Sequence, residues 1–381
     1  MTATYEPNLV LATKKYDVVG TRPIRHDGAD KVTGHAKYGA DYYTAGLLYG
    51  KILRSPHAHA RIKSIDTSKA EALLGVRAVA TAKDLPPTAP GEEFHQETVG
   101  EENMKYRREQ ILATDKALFK GHPVAGVAAV SPHVADEALS LIDVEYEVLP
   151  HVMTAPEGMR DDAPVIHNDV KLKEAGEEVG EPTNVAEHLQ FKWGDVGKGF
   201  DEADVIIERE FDTATVHQGY IEPHNCTVHW NRDGRVYIWN STQAPFEVKD
   251  ITAAVLGVPF ADATLTPMEI GGGFGGKWEP YAEPVLALLS KKTGQPVKNV
   301  MTRMEEFDCT GPTPGSYIKV KIGATKEGRM TAAQAHIAFE AGAYPESSHA
   351  SAATSMFSRA STRPRSAAHQ SLNGTAFCLR S

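Results

Sequence analysis

Five glycines close around one phenylalanine in the stretch Glu269-Ile270-Gly271-Gly272-Gly273-Phe274-Gly275-Gly276-Lys277-Trp278-Glu279. A run this rich in glycine disfavours helix and strand, because each glycine loses more backbone freedom on folding than any other residue. The run is therefore a loop that takes left-handed conformations or brings bare backbone against something bulky. Successive amide N–H groups in such a turn can converge on an anion or an oxo group. The apolar segment at 284–289 is predicted to be helical, which would add a helix N-terminus to the same place.

The same letters satisfy three motifs. Gly271, Gly276 and Lys277 fit a phosphate-binding loop, but Trp278 stands where Ser or Thr would hold magnesium. Gly271, Gly273 and Gly276 fit the dinucleotide spacing, which asks for an acidic residue about 20 positions on. Glu305, past the candidate strand at 297–301, comes later than that. A plain glycine-rich strand-to-helix turn is the third reading, and the loop alone leaves all three open.

The remaining segments narrow the choice. Gly-Gly-Gly-Phe-Gly-Gly-Lys at 271–277 closely resembles the cofactor loop in the large subunit of the xanthine dehydrogenase and aldehyde oxidase family of molybdenum hydroxylases. Val32-Thr33-Gly34-His35-Ala36-Lys37-Tyr38-Gly39-Ala40-Asp41 resembles that family's opening signature, and Leu53-Arg54-Ser55-Pro56-His57-Ala58-His59-Ala60 its next strand and turn. Gly121-His122-Pro123-Val124-Ala125, Tyr220-Ile221-Glu222-Pro223-His224, Ser241-Thr242-Gln243 and Thr302-Arg303-Met304-Glu305-Glu306-Phe307 follow in family order. The resemblance covers residues 20 to 345 and implies an α/β (α+β) fold. It places an N-terminal α/β hammerhead domain at 21–150, after an arm at 1–20, and the first part of a molybdopterin-binding α+β domain at 204–345.

Local patterns fill in that outline. Strands are predicted at 48–54, 61–66, 76–81, 124–130 and 144–148, with helices at 68–74 and 132–142, the second opened by Ser131-Pro132. The stretch at 86–109 reads as a loop, and 151–203, rich in Pro, Gly and Glu, as a connector. Further on, 205–211 alternates as a strand, and Asp233-Gly234 turns a hairpin between 228–230 and 236–239. A helix at 245–256 stops at Gly257, and residues 326–329 turn another hairpin. From 346 to 381 a Ser-, Ala- and Arg-rich tail shows no period and is expected to be disordered.

Bulk properties set limits. The net charge of −10, with both signs interspersed, argues against a sequence-independent grip on nucleic acid. No segment approaches the ~20 apolar residues of a membrane span, and residues 1–19 hold no apolar run of the secretory kind. Three cysteines, Cys226, Cys309 and Cys378, show no cluster spacing, which suits a cytoplasmic chain that holds no iron–sulfur cluster of its own.

The resemblance assigns roles residue by residue. It implies a molybdenum–molybdopterin (dithiolene) cofactor and hydroxylation of an aldehyde or (hetero)aromatic carbon with oxygen from water. Gln243 matches the glutamine whose amide faces a terminal ligand of the metal, while Gly272, Gly273, Phe274 and Gly275 match the loop beside it. Phe274 is read equally as a water excluder and as a core anchor for the loop. Glu222 is read as a salt bridge or loop cap, and His57, His59, His217, His224 and His229 as structural. Purine-oxidising members carry a glutamate after the loop lysine; here it is Trp278, with Glu279 next, which argues against xanthine and allows a flat ring stacked on Trp278.

The family's catalytic glutamate and remaining pterin contacts lie beyond the matching region and have no counterpart here. A [2Fe-2S] subunit, an FAD subunit and the missing C-terminal half of the molybdenum subunit are the implied partners. A nucleotide-binding enzyme using residues 271–277 for phosphate and a non-catalytic subunit fragment remain the alternatives.

Overall fold

A computed structural model describes residues 17–19, 21–96, 100–174, 177–345 and 369–377. Most of the expected N-terminal arm, and the tail at 346–368 and 378–381, lie outside the described residues. The chain divides into two compact units, residues 1–37 and 38–381. In the first, the short helix Gly28–Thr33 ends at Gly34 in the left-handed conformation.

In the second unit, one seven-stranded mixed sheet runs in the order Ala263–Pro267, Val236–Asn240, Asn225–Trp230, Val297–Val300, Leu48–Arg54, Pro123–Ala129, Val76–Thr81. Strands from the expected hammerhead and from the expected cofactor domain thus share one sheet. They join where Leu48–Arg54 lies parallel to Val297–Val300, with Leu48 opposite Val297. Below this sheet lies the helix Glu283–Thr293, which carries Pro284 in its first turn and is capped by Gly294 at φ 66°. Its residues 284–290 are buried all round, as a helix inside a core must be. Leu48, Ile52, Val228, Ile238, Ile251, Val255, Leu286 and Val297 form one continuous core across both halves of the sequence.

The short-range patterns hold well. The helix Pro245–Leu256 and its Gly257 cap fall where expected, as do Ser68–Ala72, Pro132–Ser140 and the hairpin turned at Gly234. Three readings need correction. Residues 86–109 are not all loop: Glu93–Gln96 pairs with Gly100–Asn103, and Met104–Ile111 is a helix capped by the Asn103 side chain. The helix is hidden in the sequence because Arg107 and Arg108 point inward, Arg107 onto the distant Glu279 and Arg108 onto Glu92, outside the helix.

The expected connector at 151–203 is likewise structured. It carries the helices Ala155–Gly158 and Val196–Asp201 and the strands Lys171–Glu174, Glu177–Pro182 and Val185–Trp193. These strands belong to a second seven-stranded sheet, ordered Glu177–Pro182, Lys171–Glu174, Val185–Trp193, His369–Phe377, Met330–Glu340, Ser316–Ala324, Val205–Thr213. Within the expected disordered tail, His369–Phe377 is a strand between Val185–Trp193 and Met330–Glu340. Long-range pairing of this kind leaves no local period in a polar segment, so the sequence pattern missed it.

Candidate functional site

The glycine loop leaves the strand end at Pro267 and is held by one carboxylate. Glu222 Oε2 accepts from the Gly271 N–H at 2.7 Å, from Lys277 Nζ at 2.7 Å and from the Ser241 hydroxyl at 2.5 Å. Its other oxygen accepts from Asn225 Nδ2 at 3.1 Å. The start of the loop, its end and the segment leading to Gln243 thus meet on Glu222, as the salt-bridge and loop-cap reading expects. Burial acts to raise this carboxyl, but Lys277, Ser241 and the Gly271 N–H outweigh it and hold it below the ordinary carboxylate range. Burial also lowers the Lys277 ammonium, and Glu222 opposes that shift.

The clamp disposes of the phosphate reading. The Lys277 side chain is fully buried, its ammonium spent on Glu222 and 4.9 Å from the Tyr220 ring centre. It is not placed to meet a phosphate. Nor does the following helix offer its N-terminus to the loop. That helix starts at Glu283, whose own carboxylate accepts from the Tyr281 N–H at 2.7 Å and from Asn240 Nδ2 at 2.6 Å.

Gln243 is the second fixed point. Its N–H donates to the Lys277 carbonyl at 2.8 Å, while its side-chain Oε1 accepts from the Gly275 N–H at 2.9 Å and more weakly from the Lys277 N–H at 3.4 Å. Two backbone donors orient the amide oxygen toward the loop, which leaves the NH₂ as the outward donor. The Gly275 N–H, expected to face a ligand, is therefore committed to Gln243.

The glycines also divide differently from expectation. A Cβ at Gly273 would lie 2.5 Å from Gln243 Oε1, one at Gly271 2.5 Å from Glu222 Cβ, and one at Gly276 2.8 Å from the Tyr220 ring. The protein's own packing thus demands those three. Gly275 differs: its φ is +89° and open space lies where a Cβ would stand. Phe274 is the one non-glycine residue with positive φ among those described, at 49°, and it is 73% exposed. Its reading as a core anchor is overturned. A bulky residue in the left-handed region costs about 1–3 kcal/mol and persists only where its surroundings impose it.

The loop is thus a bare, outward-facing shelf: backbone at Gly275, an aromatic ring at Phe274 and an amide donor at Gln243. This donor set suits a large group carrying terminal oxygen ligands, so the residues fit the implied cofactor. Beside the shelf runs an open cleft whose wall includes Gly275, Gly276, Trp278, Pro280, Tyr281 and Tyr344. Trp278 is 42% exposed there. Glu279, one place on, also lines the cleft and pairs with Arg107, 2.7 Å away on the helix Met104–Ile111.

Beneath the loop is a network that sequence reading missed. Glu306 is wholly buried and accepts from the Tyr220 hydroxyl at 2.5 Å, from the His224 N–H at 2.7 Å and from His224 Nδ1 at 2.5 Å. Burial alone would raise the Glu306 carboxyl, yet His224 and Tyr220 bring it down to about 2. No sequence spacing announces this contact, since its members lie more than 80 positions apart. Three other histidines have partners equally distant in the chain. His59 Nδ1 lies 2.6 Å from the Pro150 carbonyl, His57 packs edge-on against Tyr146, and His217 bonds Thr310.

Two family models cover the chain: the aldehyde oxidase and xanthine dehydrogenase a/b hammerhead domain at residues 33–150, and the molybdopterin cofactor-binding domain at 178–367. The nicotinate dehydrogenase large molybdopterin subunit of Eubacterium barkeri is 32% identical over 331 residues, covering 87% of this chain and 72% of that protein. The chain belongs to the xanthine dehydrogenase and aldehyde oxidase family of molybdenum hydroxylases.

Relatives in that family are named dehydrogenases and oxidases, and the molybdopterin cofactor-binding model matches residues 178–367 of this chain. Its similarity to the carbon monoxide dehydrogenase large chain of Afipia carboxidovorans is 32% identity, over 90% of this chain but 42% of that protein. Among solved structures, CO dehydrogenase from Oligotropha carboxidovorans superposes with a TM-score of 0.81 at 29% identity, over 95% of this chain and 45% of that one. Quinoline 2-oxidoreductase from Pseudomonas putida 86 gives 0.77 at 25% identity, also over 45% of its chain. The chain thus spans less than half the length of several of its relatives. No helix among the described residues is long and apolar enough to cross a membrane.

Proposed function

We propose that residues 271–276 and Gln243 form one side of the seat of a molybdenum dithiolene cofactor, in an enzyme that hydroxylates an aldehyde or (hetero)aromatic carbon with oxygen from water. One observation carries this reading. The Gln243 amide oxygen is taken up by the loop's own N–H groups, so its NH₂ faces outward over the open backbone at Gly275. When bound, such a cofactor supplies oxygen transfer and accepts the two electrons released.

The chain's own residues then have distinct tasks. Glu222 and Lys277 keep the shelf in register. Gln243 donates a hydrogen bond to a terminal oxygen or sulfur without itself titrating. Gly272 and Gly273 shape the loop, Phe274 covers the seat against water, and Trp278 lines the approach for substrate. A base is not among these residues. In this reading it comes with the C-terminal half of the subunit, while iron–sulfur and FAD partners carry electrons away in the cytoplasm. The uncovered apolar side chains of Val205, Ile206, Ile207 and Phe211, each about half exposed, support a covering partner there.

Two substitutions in the complete enzyme test the seat. Gly275→Val forces a β-branched residue into φ +89° and should abolish molybdenum content while far-UV circular dichroism stays unchanged. Normal metal content would overturn the assignment. Gln243→Leu should lower turnover well beyond any loss of molybdenum, and turnover equal to wild type would count against its role. This chain purified alone should not turn over aldehydes or N-heterocycles with an added electron acceptor.

A further inference from the structure

We infer that Tyr220, anchored on the buried Glu306 carboxylate, is the support that holds the glycine loop in its strained form and so positions the cofactor seat. The inference rests on the seat proposed above and adds the residues that shape it from below. A phenylalanine held at φ 49° needs a cause in its surroundings. The loop itself offers little, since glycines pass readily between left- and right-handed backbone. Within it, the Gly276 N–H donates to the Gly273 carbonyl at 2.8 Å.

Tyr220 meets the loop on both sides of Phe274 and Gly275. A Cβ at Gly272 would lie 3.0 Å from Tyr220 Cβ, and one at Gly276 2.8 Å from the Tyr220 ring. The Lys277 ammonium, 4.9 Å from the ring centre, adds a cation–π attraction at the end of the loop. Tyr220 is 1% exposed, so it cannot withdraw without opening the core.

The far end of Tyr220 is fixed in turn. Its hydroxyl donates to Glu306 on the helix Arg303–Cys309 at 2.5 Å. A hydrogen bond to a carboxylate is roughly twice as strong as one between neutral groups. His224 holds the same carboxylate through its N–H at 2.7 Å and its Nδ1 at 2.5 Å. The Thr310 hydroxyl donates to the Glu306 carbonyl at 2.6 Å and steadies the end of that helix. One short segment thus serves the loop three times: Tyr220 as its floor, Glu222 as its clamp and His224 as the anchor of the floor. Gln243 and Glu222 grip the edges of the loop, whereas Tyr220 sets its height, and with it where the Gly275 backbone faces outward.

The test uses the complete enzyme that contains this chain. The N–H groups of Gly271, Gly275, Gly276 and Lys277 all have acceptors, so their hydrogen exchange, read by mass spectrometry, reports opening of the loop. Tyr220→Phe keeps the ring and removes the hydroxyl. It should speed this exchange about tenfold, the worth of one hydrogen bond to a charged group, and shorten the retention of molybdenum on dialysis. Exchange in the helix Glu283–Thr293 should not change. Glu306→Gln keeps an oxygen that can accept from Tyr220 and should speed loop exchange less. Leu286→Ala, which weakens the core elsewhere, should lower the urea midpoint and leave loop exchange unmoved. Loop exchange unmoved by Tyr220→Phe would overturn the inference, as would an equal rise in Leu286→Ala. Should Tyr220→Phe not fold, Glu306→Gln decides by the same measure: a rise confined to the loop supports the inference, and no rise overturns it. Faster loop exchange with normal molybdenum retention upholds the support by Tyr220 and counts against the proposed seat.

Discussion

The strands Pro123–Ala129 and Val205–Thr213 are both rich in apolar residues, yet every residue of the first is buried and every residue of the second exposed. The first lies inside its sheet, between Leu48–Arg54 and Val76–Thr81, with a helix on either face. Glu283–Thr293 covers the side of Gly126 and Ala128, and Pro132–Ser140 the side of Ala125 and Val127. The second is an edge strand with one neighbour, Ser316–Ala324. Burial here follows from the layers above and below a strand and not from its own composition. The strand Pro123–Ala129 is covered on both faces within this chain, whereas the outer strand of the second sheet has the makings of an interface.

Five measurements would sharpen or break that contrast. The largest effect is expected at the clamp under the loop. Glu222→Leu strands the buried Lys277 ammonium and should cost about 3–5 kcal/mol in urea unfolding. Next comes the helix that covers the first sheet: Leu286→Ala, at a wholly buried position, should cost about 3 kcal/mol.

Acid should act on the same closed side in two steps. Buried His122 has its pKa lowered to about 4, chiefly by burial. The unfolded chain binds that proton more readily, so stability falls as the pH drops from about 6.5 toward 4. Glu306, depressed to about 2, contributes stability above its ordinary value near 4.5 that is lost as the pH falls from there toward 2. Glu306→Gln should flatten the lower step and leave the upper one, read from urea midpoints against pH.

Smaller again is the cap of the helix Arg303–Cys309. Thr302 accepts from the Glu305 N–H while Glu305 accepts from the Thr302 N–H, and Thr302→Ala should cost about 1 kcal/mol. The smallest effect belongs to the open strand. Ile207→Ala should change the stability of the chain alone by less than about 0.5 kcal/mol. A cost near that of Leu286→Ala would mean the strand is covered after all. In the assembled enzyme the same substitution should cost more, because a covering partner would bury it.

How much could be read from the sequence depended on how local the cause was. The helix Pro245–Leu256 carries its start and stop within itself, as Pro245 and Gly257, and its limits were legible. So was the turn at Asp233-Gly234. The helix Met104–Ile111 was not, because its inward arginines look like surface residues until Glu279 and Glu92 are seen beside them. The strands within 151–203 were missed for the same kind of reason: their partners include residues 369–377. At the site, the loop, Gln243 and Glu222 stood out as segments. What the sequence hid was that three of the glycines make room for Glu222, Gln243 and Tyr220 and not for a ligand. The buried contact of Glu306 with His224 and Tyr220 also left no trace in residue spacing.

The parallel join between Leu48–Arg54 and Val297–Val300 has a consequence during synthesis. Asn299 Nδ2 donates to the Gly50 carbonyl across 249 residues of chain. At roughly 5–20 residues per second, the earlier strand leaves the ribosome about 12 to 50 s before its neighbour exists. Through that interval one apolar edge of the growing sheet stands open, in a chain whose final contacts are mostly distant. Such a nascent chain is a natural client for chaperones, and any pause in translation before residue 297 lengthens its exposure.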